Sequence, residues 1–176
     1  MDCKREIPVL ISAEEIAAHI KELAARIAED YRDSPGLTVV CVLSGAYIFM
    51  ADLVRAVNMP LTMDFVRAKS YDGTTSTGTV RVELDIKTNI AGKDVLLVED
   101  ILDTGRTLLA LKEIFLTRAP RSVKTAVLLD KPARRTAAIA ADYRCFEIPD
   151  LFVVGYGLDC DEQFRELPYV GIFTQT

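Results

Sequence analysis

The chain has 176 residues, of which 50% are hydrophobic; this length and composition suit one domain with a well-formed core and exclude an intrinsically disordered protein. The 26 acidic residues outnumber the 21 basic ones and give a net charge of −5, which counts against nucleic acid as a partner, because phosphate contacts need clustered lysine and arginine. The longest uncharged stretch, residues 34–51, is shorter than the roughly 20 residues of a membrane-spanning helix, so we expect no membrane partner.

The start of the chain and its cysteines bear on the compartment. Residues 1–6 are mostly charged and precede no apolar stretch, so we expect no secretory signal. The cysteines at positions 3, 41, 145 and 160 form no CxxC pair, which argues against a structural zinc site and predicts reduced thiols in a cytoplasmic protein. The one histidine, His19, lies in a charged helical segment, and we expect a structural or surface role for it.

Helices and buried strands alternate along the chain. The first helix, residues 12–30, begins at a capping box in which Glu15 follows Ser12 by three positions. The apolar run at 37–43 fits a strand covered on both faces, as in a parallel sheet. Further predictions, in chain order, are a helix at 46–57, strands at 61–69, 80–86 and 95–98, a helix that includes 108–115, and strands at 123–129, 143–148 and 152–158. The alternation predicts an α/β fold with a twisted parallel sheet of about four or five strands flanked by helices.

The strongest chemical signal is the segment 95–108, in which a buried strand is followed by Glu99, Asp100 and Asp103 and then by a Thr-Gly-Arg-Thr turn that opens a helix. Ligands of open α/β sheets lie beyond the carboxyl ends of the strands. The turn can direct several backbone N–H groups at one point, and a helix N-terminus adds partial positive charge, so we expect a phosphate there.

The neighbouring carboxylates of Glu99 and Asp100 would repel that phosphate and suit ribose hydroxyls or Mg²⁺ instead. Together with the phosphate turn they indicate a sugar phosphate. The alternative is that both acids merely end a strand and that Asp103 caps the helix.

The segment 95–108 resembles the phosphoribosyl pyrophosphate (PRPP) signature of type I phosphoribosyltransferases. Five further segments are similar, in the right order, to those of the hypoxanthine(-guanine) phosphoribosyltransferases: 42–53, 70–71, 128–132, 148–150 and 152–159. The resemblance implies the type I phosphoribosyltransferase fold, with a core at about 12–142 and a small hood formed by the N-terminal residues and about 143–176. It also implies a homodimer or homotetramer, to which apolar surface at 47–53 contributes.

The implied reaction belongs to purine salvage. The phosphoribosyl group of PRPP passes to hypoxanthine or guanine through an oxocarbenium-like centre, giving IMP or GMP and pyrophosphate, with Mg²⁺ as cofactor. By resemblance, Asp103 is the general base near N7 of the purine, with N-capping of the helix as its alternative role. The resemblance assigns ribose and metal binding to Glu99 and Asp100, a further metal contact to Asp159, and 5′-phosphate binding to Asp103, Thr104, Gly105, Arg106 and Thr107.

The same resemblance assigns the purine to Lys131, Phe152, Val153 and Asp159. An ammonium donor at Lys131 favours a 6-oxopurine over adenine, whose 6-amino group is itself a donor. The ring of Phe152 would stack on the base, and the Val153 backbone would read its edge. The alternatives are a surface lysine, a core phenylalanine and a solvated turn acid.

Pyrophosphate is assigned to Ser44, Gly45 and Arg165. Many relatives carry Lys or Arg where Ser44 stands, so this loop lacks a side-chain cation and retains its backbone donors. The family often has a non-proline cis peptide here, which we expect between Leu43 and Ser44. Arg165 could instead form only a surface ion pair with neighbouring acids.

Ser70 and Tyr71, with the polar loop at 72–78, resemble a lid that closes over the ribosyl centre and excludes water. The alternative is an ordinary mobile hairpin tip. Two rival functions also stay open: a phosphoribosyltransferase for xanthine or a pyrimidine, and an RNA-binding regulator that senses PRPP. The acidic balance counts against the regulator.

Overall fold

A computed structural model describes residues 7–71 and 79–174 of the chain. The strands are β1 (Val9–Ile11), β2 (Leu37–Val42), β3 (Thr62–Tyr71), β4 (Thr79–Leu84), β5 (Asp94–Leu102), β6 (Ser122–Asp130), β7 (Tyr143–Glu147), β8 (Val153–Val154) and β9 (Val170–Ile172). The helices are α1 (Ala13–Asp30), α2 (Tyr47–Val57) and α3 (Arg106–Leu116), with a 3₁₀ turn at Pro132–Arg134. None of the helices in these ranges is long and apolar enough to cross a membrane.

A six-stranded sheet in the order β4-β3-β2-β5-β6-β7 forms the centre of the fold. Five of its strands are parallel, and β4 pairs antiparallel with β3 at one edge. This confirms the predicted twisted α/β sheet, including the number of parallel strands. Every residue of β2 is buried, as a central strand covered on both faces requires.

Helices cover both faces of the sheet. Successive side chains of a strand point to opposite faces, so Val39 and Cys41 pack in the core beneath α1 and α2, whereas Val40 and Val42 pack beneath α3. The helix α1 begins at the predicted capping box: Ser12 Oγ accepts a hydrogen bond from the backbone N–H of Glu15, and the Glu15 carboxylate accepts one from that of Ser12.

A second, antiparallel sheet joins the two ends of the described chain in the order β1-β9-β8. Its strands come from segments that we expected in the hood, and β1 with the chain after Glu147 is called the hood below. The strand β7, which we also expected there, pairs with β6 in the central sheet.

Two smaller expectations were also wrong in extent. The predicted strand at 152–158 ends after Val154, because Gly155, Tyr156 and Gly157 all have positive φ and turn the chain back. The apolar surface expected at 47–53 is reduced, since Phe49, Met50 and Leu53 are buried and only Tyr47 is a large exposed hydrophobic residue there.

Candidate active site

The loops that follow β2, β5 and β6 meet at one edge of the sheet, because these strands are parallel and adjacent. Three cavities line this edge. The turn cavity (≈ 250 Å³) lies over the β5–α3 turn, the hood cavity (≈ 250 Å³) lies between that turn and the hood, and the loop cavity (≈ 400 Å³) lies beside the β2–α2 loop. Asp100, Ile101 and Asp103 line both of the first two, and Leu43 and Ala68 line both the turn and loop cavities. The three therefore form one continuous cleft.

The β5–α3 turn presents an uncapped helix N-terminus to the turn cavity. The N-cap residue is Gly105, with φ +82°, which has no side chain to cap the helix. The first turn contains no acid, and the nearest hydroxyl contact, from Thr104 Oγ1 to the backbone N of Arg106, is long at 3.5 Å. Thr104, Gly105 and Thr107 line the cavity, whereas Arg106 is not among its lining residues. The backbone N–H groups at this helix N-terminus and the helix dipole favour an anion here.

The helix α2 has the same property. Its N-cap residue, Ala46, makes no side-chain capping bond, and its first turn contains no acid. The helix α1, by contrast, is capped by its own side chains. The two helices whose N-termini lie at the cleft are thus left open, at the two places where the sequence predicts phosphate and pyrophosphate.

Glu99 and Asp100 lie between these two helix ends. Burial and the neighbouring carboxylate of Asp100 raise the pKa of Glu99 well above its ordinary value, and burial raises the pKa of Asp100. The side chains are half-buried, and Arg165 lowers the pKa of Asp100 without returning it to its ordinary value, so the pair has more negative charge than its surroundings neutralise. Two carboxylate ligands completed by substrate oxygens are a usual set for Mg²⁺, so these residues fit that ion.

Asp159 is not grouped with this pair. Within 7–71 and 79–174, no three or more His, Cys, Asp or Glu side chains are placed together to hold a metal ion. Asp159 instead forms an ion pair of 3.0 Å with Arg165 and accepts a hydrogen bond from the backbone N–H of Glu162. It lines the hood cavity with Asp100.

Asp103 does not cap the helix, since the N-cap residue is Gly105. Its Oδ1 atom is buried and lies 2.9 Å from Nε of Arg134, without the alignment of a good hydrogen bond. Arg134 also lies 3.7 Å from the carboxylate of Asp150. Asp103 itself lines both the turn cavity and the hood cavity, which is the position that a group acting between ribose and base requires.

Arg135 is a residue that the sequence did not single out. Its side chain is largely buried and donates to the backbone carbonyls of Leu102 (3.0 Å), Asp103 (2.9 Å) and Ile139 (2.9 Å). It also pairs with the carboxylate of Asp130. These bonds hold the β5–α3 turn against the end of β6. An arginine in a loop has no local pattern that would have predicted this role.

The hood cavity is lined by all four residues predicted to bind the purine. Lys131 is only 6% exposed, and its ammonium donates to the backbone carbonyl of Leu151, so it is not a surface residue. Phe152 is 53% exposed and meets Phe173 edge-on at 5.7 Å, so it is not a core residue. A buried donor and an exposed aromatic ring in one cavity suit a flat heterocycle with an acceptor group.

The β2–α2 loop has the expected cis peptide bond between Leu43 and Ser44. Its backbone is packed tightly: a Cβ on Gly45 would lie 1.6 Å from Oδ2 of Asp100, and a Cβ on Gly157 would lie 2.0 Å from the carbonyl oxygen of Gly45. Arg165 lines the same cavity as Ser44. It donates to the Gly157 carbonyl at 2.7 Å, and it also forms the predicted ion pairs with neighbouring acids.

Of the predicted lid, the described residues include Ser70 and Tyr71. Ser70 and Tyr71 are the last residues of β3, whose backbone pairs with β4 up to Tyr71 and Thr79. The loop at 72–78 lies outside the described residues, so its closure over the ribosyl centre stays a prediction.

Comparison with known proteins agrees with this geometry. Residues 11–161 match the family model of the phosphoribosyl transferase domain. The chain is 47% identical over 168 residues to the hypoxanthine-guanine phosphoribosyltransferase of Streptococcus thermophilus, covering 95% of this chain and 93% of that protein. It is 48% identical over 165 residues to that of Bacillus subtilis, with coverages of 93% and 91%. The crystal structure of a hypoxanthine phosphoribosyltransferase from Staphylococcus aureus superposes with a TM-score of 0.91 at 44% identity, covering 94% of this chain and 90% of that one. The chain therefore belongs to the phosphoribosyl transferase family, among its hypoxanthine-guanine phosphoribosyltransferases.

Proposed function

We propose that this protein transfers the 5-phosphoribosyl group of PRPP to hypoxanthine and guanine, and so forms IMP or GMP and pyrophosphate in purine salvage. The observation that carries this proposal is the cleft with two uncapped helix N-termini on either side of the Glu99–Asp100 pair. Two anion sites flanking a diol- or metal-binding pair match PRPP, which has a phosphate at one end of its ribose and a pyrophosphate at the other. The names of the relatives support the same reaction.

Each part of the substrate has a place in the cleft. The 5′-phosphate would accept N–H bonds at the β5–α3 turn, including those of Gly105 and Thr107, while Asp103 and Arg106 flank that site. The ribose hydroxyls would lie against Glu99 and Asp100. Pyrophosphate would lie in the loop cavity, between the Ser44–Gly45 backbone and Arg165.

Glu99 and Asp100 would hold Mg²⁺, with Asp159 near the base as a further contact. The ion supplies charge neutralisation for the departing pyrophosphate. The acids of the cleft therefore serve a metal and hydroxyl groups, while helix N-termini and arginines serve the phosphates. This division of work is compatible with a net charge of −5.

The hood cavity would bind the purine. Lys131 would donate to the 6-oxo group, Phe152 would stack on the ring, and the Val153 backbone would contact its edge. Asp103 lines both this cavity and the turn cavity, and this supports the proposal that its carboxylate would accept a proton from the purine as the N–C bond forms.

The proposal is tested by measuring nucleotide formation from PRPP and Mg²⁺ with hypoxanthine, guanine, xanthine or adenine, alone and in competition. We expect turnover with hypoxanthine and guanine and none with adenine. Turnover with xanthine or a pyrimidine alone, or the absence of turnover combined with RNA retention in a filter-binding assay, would contradict the proposal in favour of one of its rivals.

Around this site we further propose a core and a hood, the latter formed by β1 and the chain after Glu147, and assembly as a homodimer or homotetramer. Three exposed large hydrophobic side chains of α2 and β3 support assembly: Tyr47, Met63 and Phe65 are 46%, 54% and 43% exposed. Such residues are usual at subunit interfaces.

A further inference from the structure

The loop cavity contains more positive charge than the predicted pyrophosphate residues account for. It is lined by Leu43, Ser44, Arg67, Ala68, Lys69, Glu162 and Arg165. Three of these side chains are cationic and one is acidic. Arg67 and Lys69 both come from β3, the strand next to β2, and the sequence segments that predicted the site did not include them.

The β2–α2 loop itself supplies no charged side chain to this cavity. Ser44 is neutral, Gly45 has no side chain, and α2 opens with Ala46 and no side-chain cap. Pyrophosphate carries several negative charges, and backbone N–H groups alone are a weak match for them. A strong site for such an anion normally adds an arginine or lysine.

Arg67 lies at the position that such a cation would occupy. The backbone N–H of Leu43 donates to the carbonyl of Val66 at 2.8 Å, which places the residue after Val66 beside the β2–α2 loop. The guanidinium of Arg67 reaches Oγ of Ser44, with Nη2 at 3.4 Å. The positive charge that Ser44 does not carry is therefore supplied beside Ser44 by Arg67 of the neighbouring strand β3.

The other two cations of the cavity already have acidic partners. Arg165 pairs with Asp159 and Glu162, each at 3.0 Å, and Lys69 lies 3.4 Å from Glu83. For Arg67, the described part of the chain shows no carboxylate within ion-pair distance; its contact there is the Ser44 hydroxyl. Its guanidinium can thus turn to an anion without first giving up an ion pair to any described residue.

We propose that Arg67 is a pyrophosphate-binding residue of this enzyme and replaces, from β3, the side-chain cation that the β2–α2 loop lacks at Ser44. Its fork of N–H donors can bind two pyrophosphate oxygens at once, opposite the open N-terminus of α2. This inference rests on the proposed function, because it assigns Arg67 to the pyrophosphate of PRPP and to the pyrophosphate product.

The test compares wild type, Arg67→Ala and Arg67→Lys in both directions of the reaction. For Arg67→Ala we expect KM for PRPP and KM for pyrophosphate to rise about tenfold or more, corresponding to about 1.4 kcal/mol of lost binding. KM for hypoxanthine should stay within about twofold of the wild-type value. For Arg67→Lys, we expect KM for PRPP and KM for pyrophosphate to lie between those of wild type and Arg67→Ala. The matched control is Arg32→Ala, which removes one exposed arginine outside the three cavities and should leave all three constants unchanged.

A rescue experiment separates pyrophosphate binding from a structural role. In the double variant Arg67→Ala with Ser44→Lys, a cation returns to the same place from the loop, and we expect KM for PRPP to recover to within about threefold of wild type. Unchanged PRPP and pyrophosphate constants in an active Arg67→Ala enzyme would overturn the proposal. So would a loss of affinity that neither Arg67→Lys nor the Ser44→Lys rescue reduces.

Titration calorimetry with Mg²⁺ and inorganic pyrophosphate keeps this test separate from the proposed function. A wild-type protein that turns over no purine would refute the proposed function. Weaker pyrophosphate binding by Arg67→Ala than by Arg32→Ala in that case would still support the anion site, and equal binding would refute it as well.

Discussion

Asp103 is held from two sides by consecutive arginines. Arg135 binds its backbone carbonyl at 2.9 Å from the buried side of the turn, and Arg134 approaches its carboxylate at 2.9 Å from the more exposed side. The first contact fixes where the residue lies, and the second fixes where the carboxylate points. Because Arg134 also approaches Asp150, it would keep an acidic partner if the proposed purine displaced it from Asp103.

Replacing Asp103 with Asn tests whether this carboxylate is the general base. The amide has nearly the same size but cannot accept the purine proton, so we expect kcat to fall by about 10²- to 10⁴-fold, the usual contribution of a positioned base. The Kd for PRPP, measured by calorimetry, should stay within about threefold. Asp150→Asn is the control, since it changes the other carboxylate near Arg134, and unchanged kcat in Asp103→Asn would refute the assignment.

At the residue scale, the sequence predicts a common site for residues that lie close together along the chain, and it does not predict contacts between residues that lie far apart. Glu99, Asp100, Asp103 and Gly105 lie within one strand and turn, so their spacing alone indicates their common site. Arg135 reaches the same turn from 32 positions away, and only the pairing of strands brings it there. The resemblance assigned Lys131 and Phe152 to the purine. The structure supports that assignment with two unusual exposures, a buried lysine and an exposed phenylalanine.

At the scale of elements, the β2–α2 loop and the end of β5 act as one unit. Gly45 lies against the carboxylate of Asp100, and Gly157 of the hood lies against the backbone of Gly45. The N-terminal ends of α2 and α3 are thus joined through the acid pair between them. Adding one carbon atom at this contact should therefore lower kcat/KM for PRPP more than it lowers the stability of the fold.

Gly45→Ala provides that test. The added Cβ would lie 1.6 Å from Oδ2 of Asp100, so the short Asp100 side chain must turn away from its position in the cleft. We expect kcat/KM for PRPP to fall by about tenfold to a hundredfold, since small displacements at reacting groups have effects of this size.

The matched control is Gly36→Ala, whose Cβ would meet only the Lys93 side chain at 3.9 Å, an ordinary contact. Both variants should unfold within a few degrees of wild type in a thermal melt. Equal activity of the two variants would show that the Gly45–Asp100 contact does not position the acid pair.

At the scale of the whole molecule, alternation of helices and buried strands was sufficient to predict the central sheet. The reach of the hood was not predictable in the same way. The segment of β7 has the same strand-like composition as a hood strand, and only its pairing with β6 places it in the central sheet. The turn at 155–157 depends on three consecutive positive φ angles, one of them at Tyr156, a residue type that seldom adopts them.

The Glu99–Asp100 pair should lower the stability of the ligand-free protein, although the proposed function requires it. Burial and mutual repulsion raise the pKa of Glu99, and burial raises the pKa of Asp100. An acid whose pKa is higher in the folded state stabilises the fold when protonated, and this contribution is lost as pH rises from the ordinary value through the raised one. At neutral pH, the ligand-free protein should therefore be less stable than a variant that lacks one of the two charges.

Glu99→Gln should accordingly raise the thermal unfolding midpoint of the ligand-free protein at pH 7.5 by about 2–4 °C, as about 1 kcal/mol does for a domain of this size. The difference should shrink as pH is lowered to about 4.5 and below, where Glu99 becomes protonated in the unfolded state as well. Mg²⁺ with PRPP should reverse the order, because the ligands stabilise only the protein that binds them. Because Glu99→Gln lacks one of the two carboxylates proposed to bind Mg²⁺ and ribose, it should also bind PRPP less tightly than wild type.

The control for these melts is Glu22→Gln, which removes one acid from the exposed face of α1 and should leave the midpoint within about 1 °C of wild type under every condition. A ligand-free Glu99→Gln protein that melts at or below the wild-type temperature at pH 7.5 would contradict the argument. It would mean that the charge of Glu99 is compensated in the ligand-free protein, so that removing it relieves no strain.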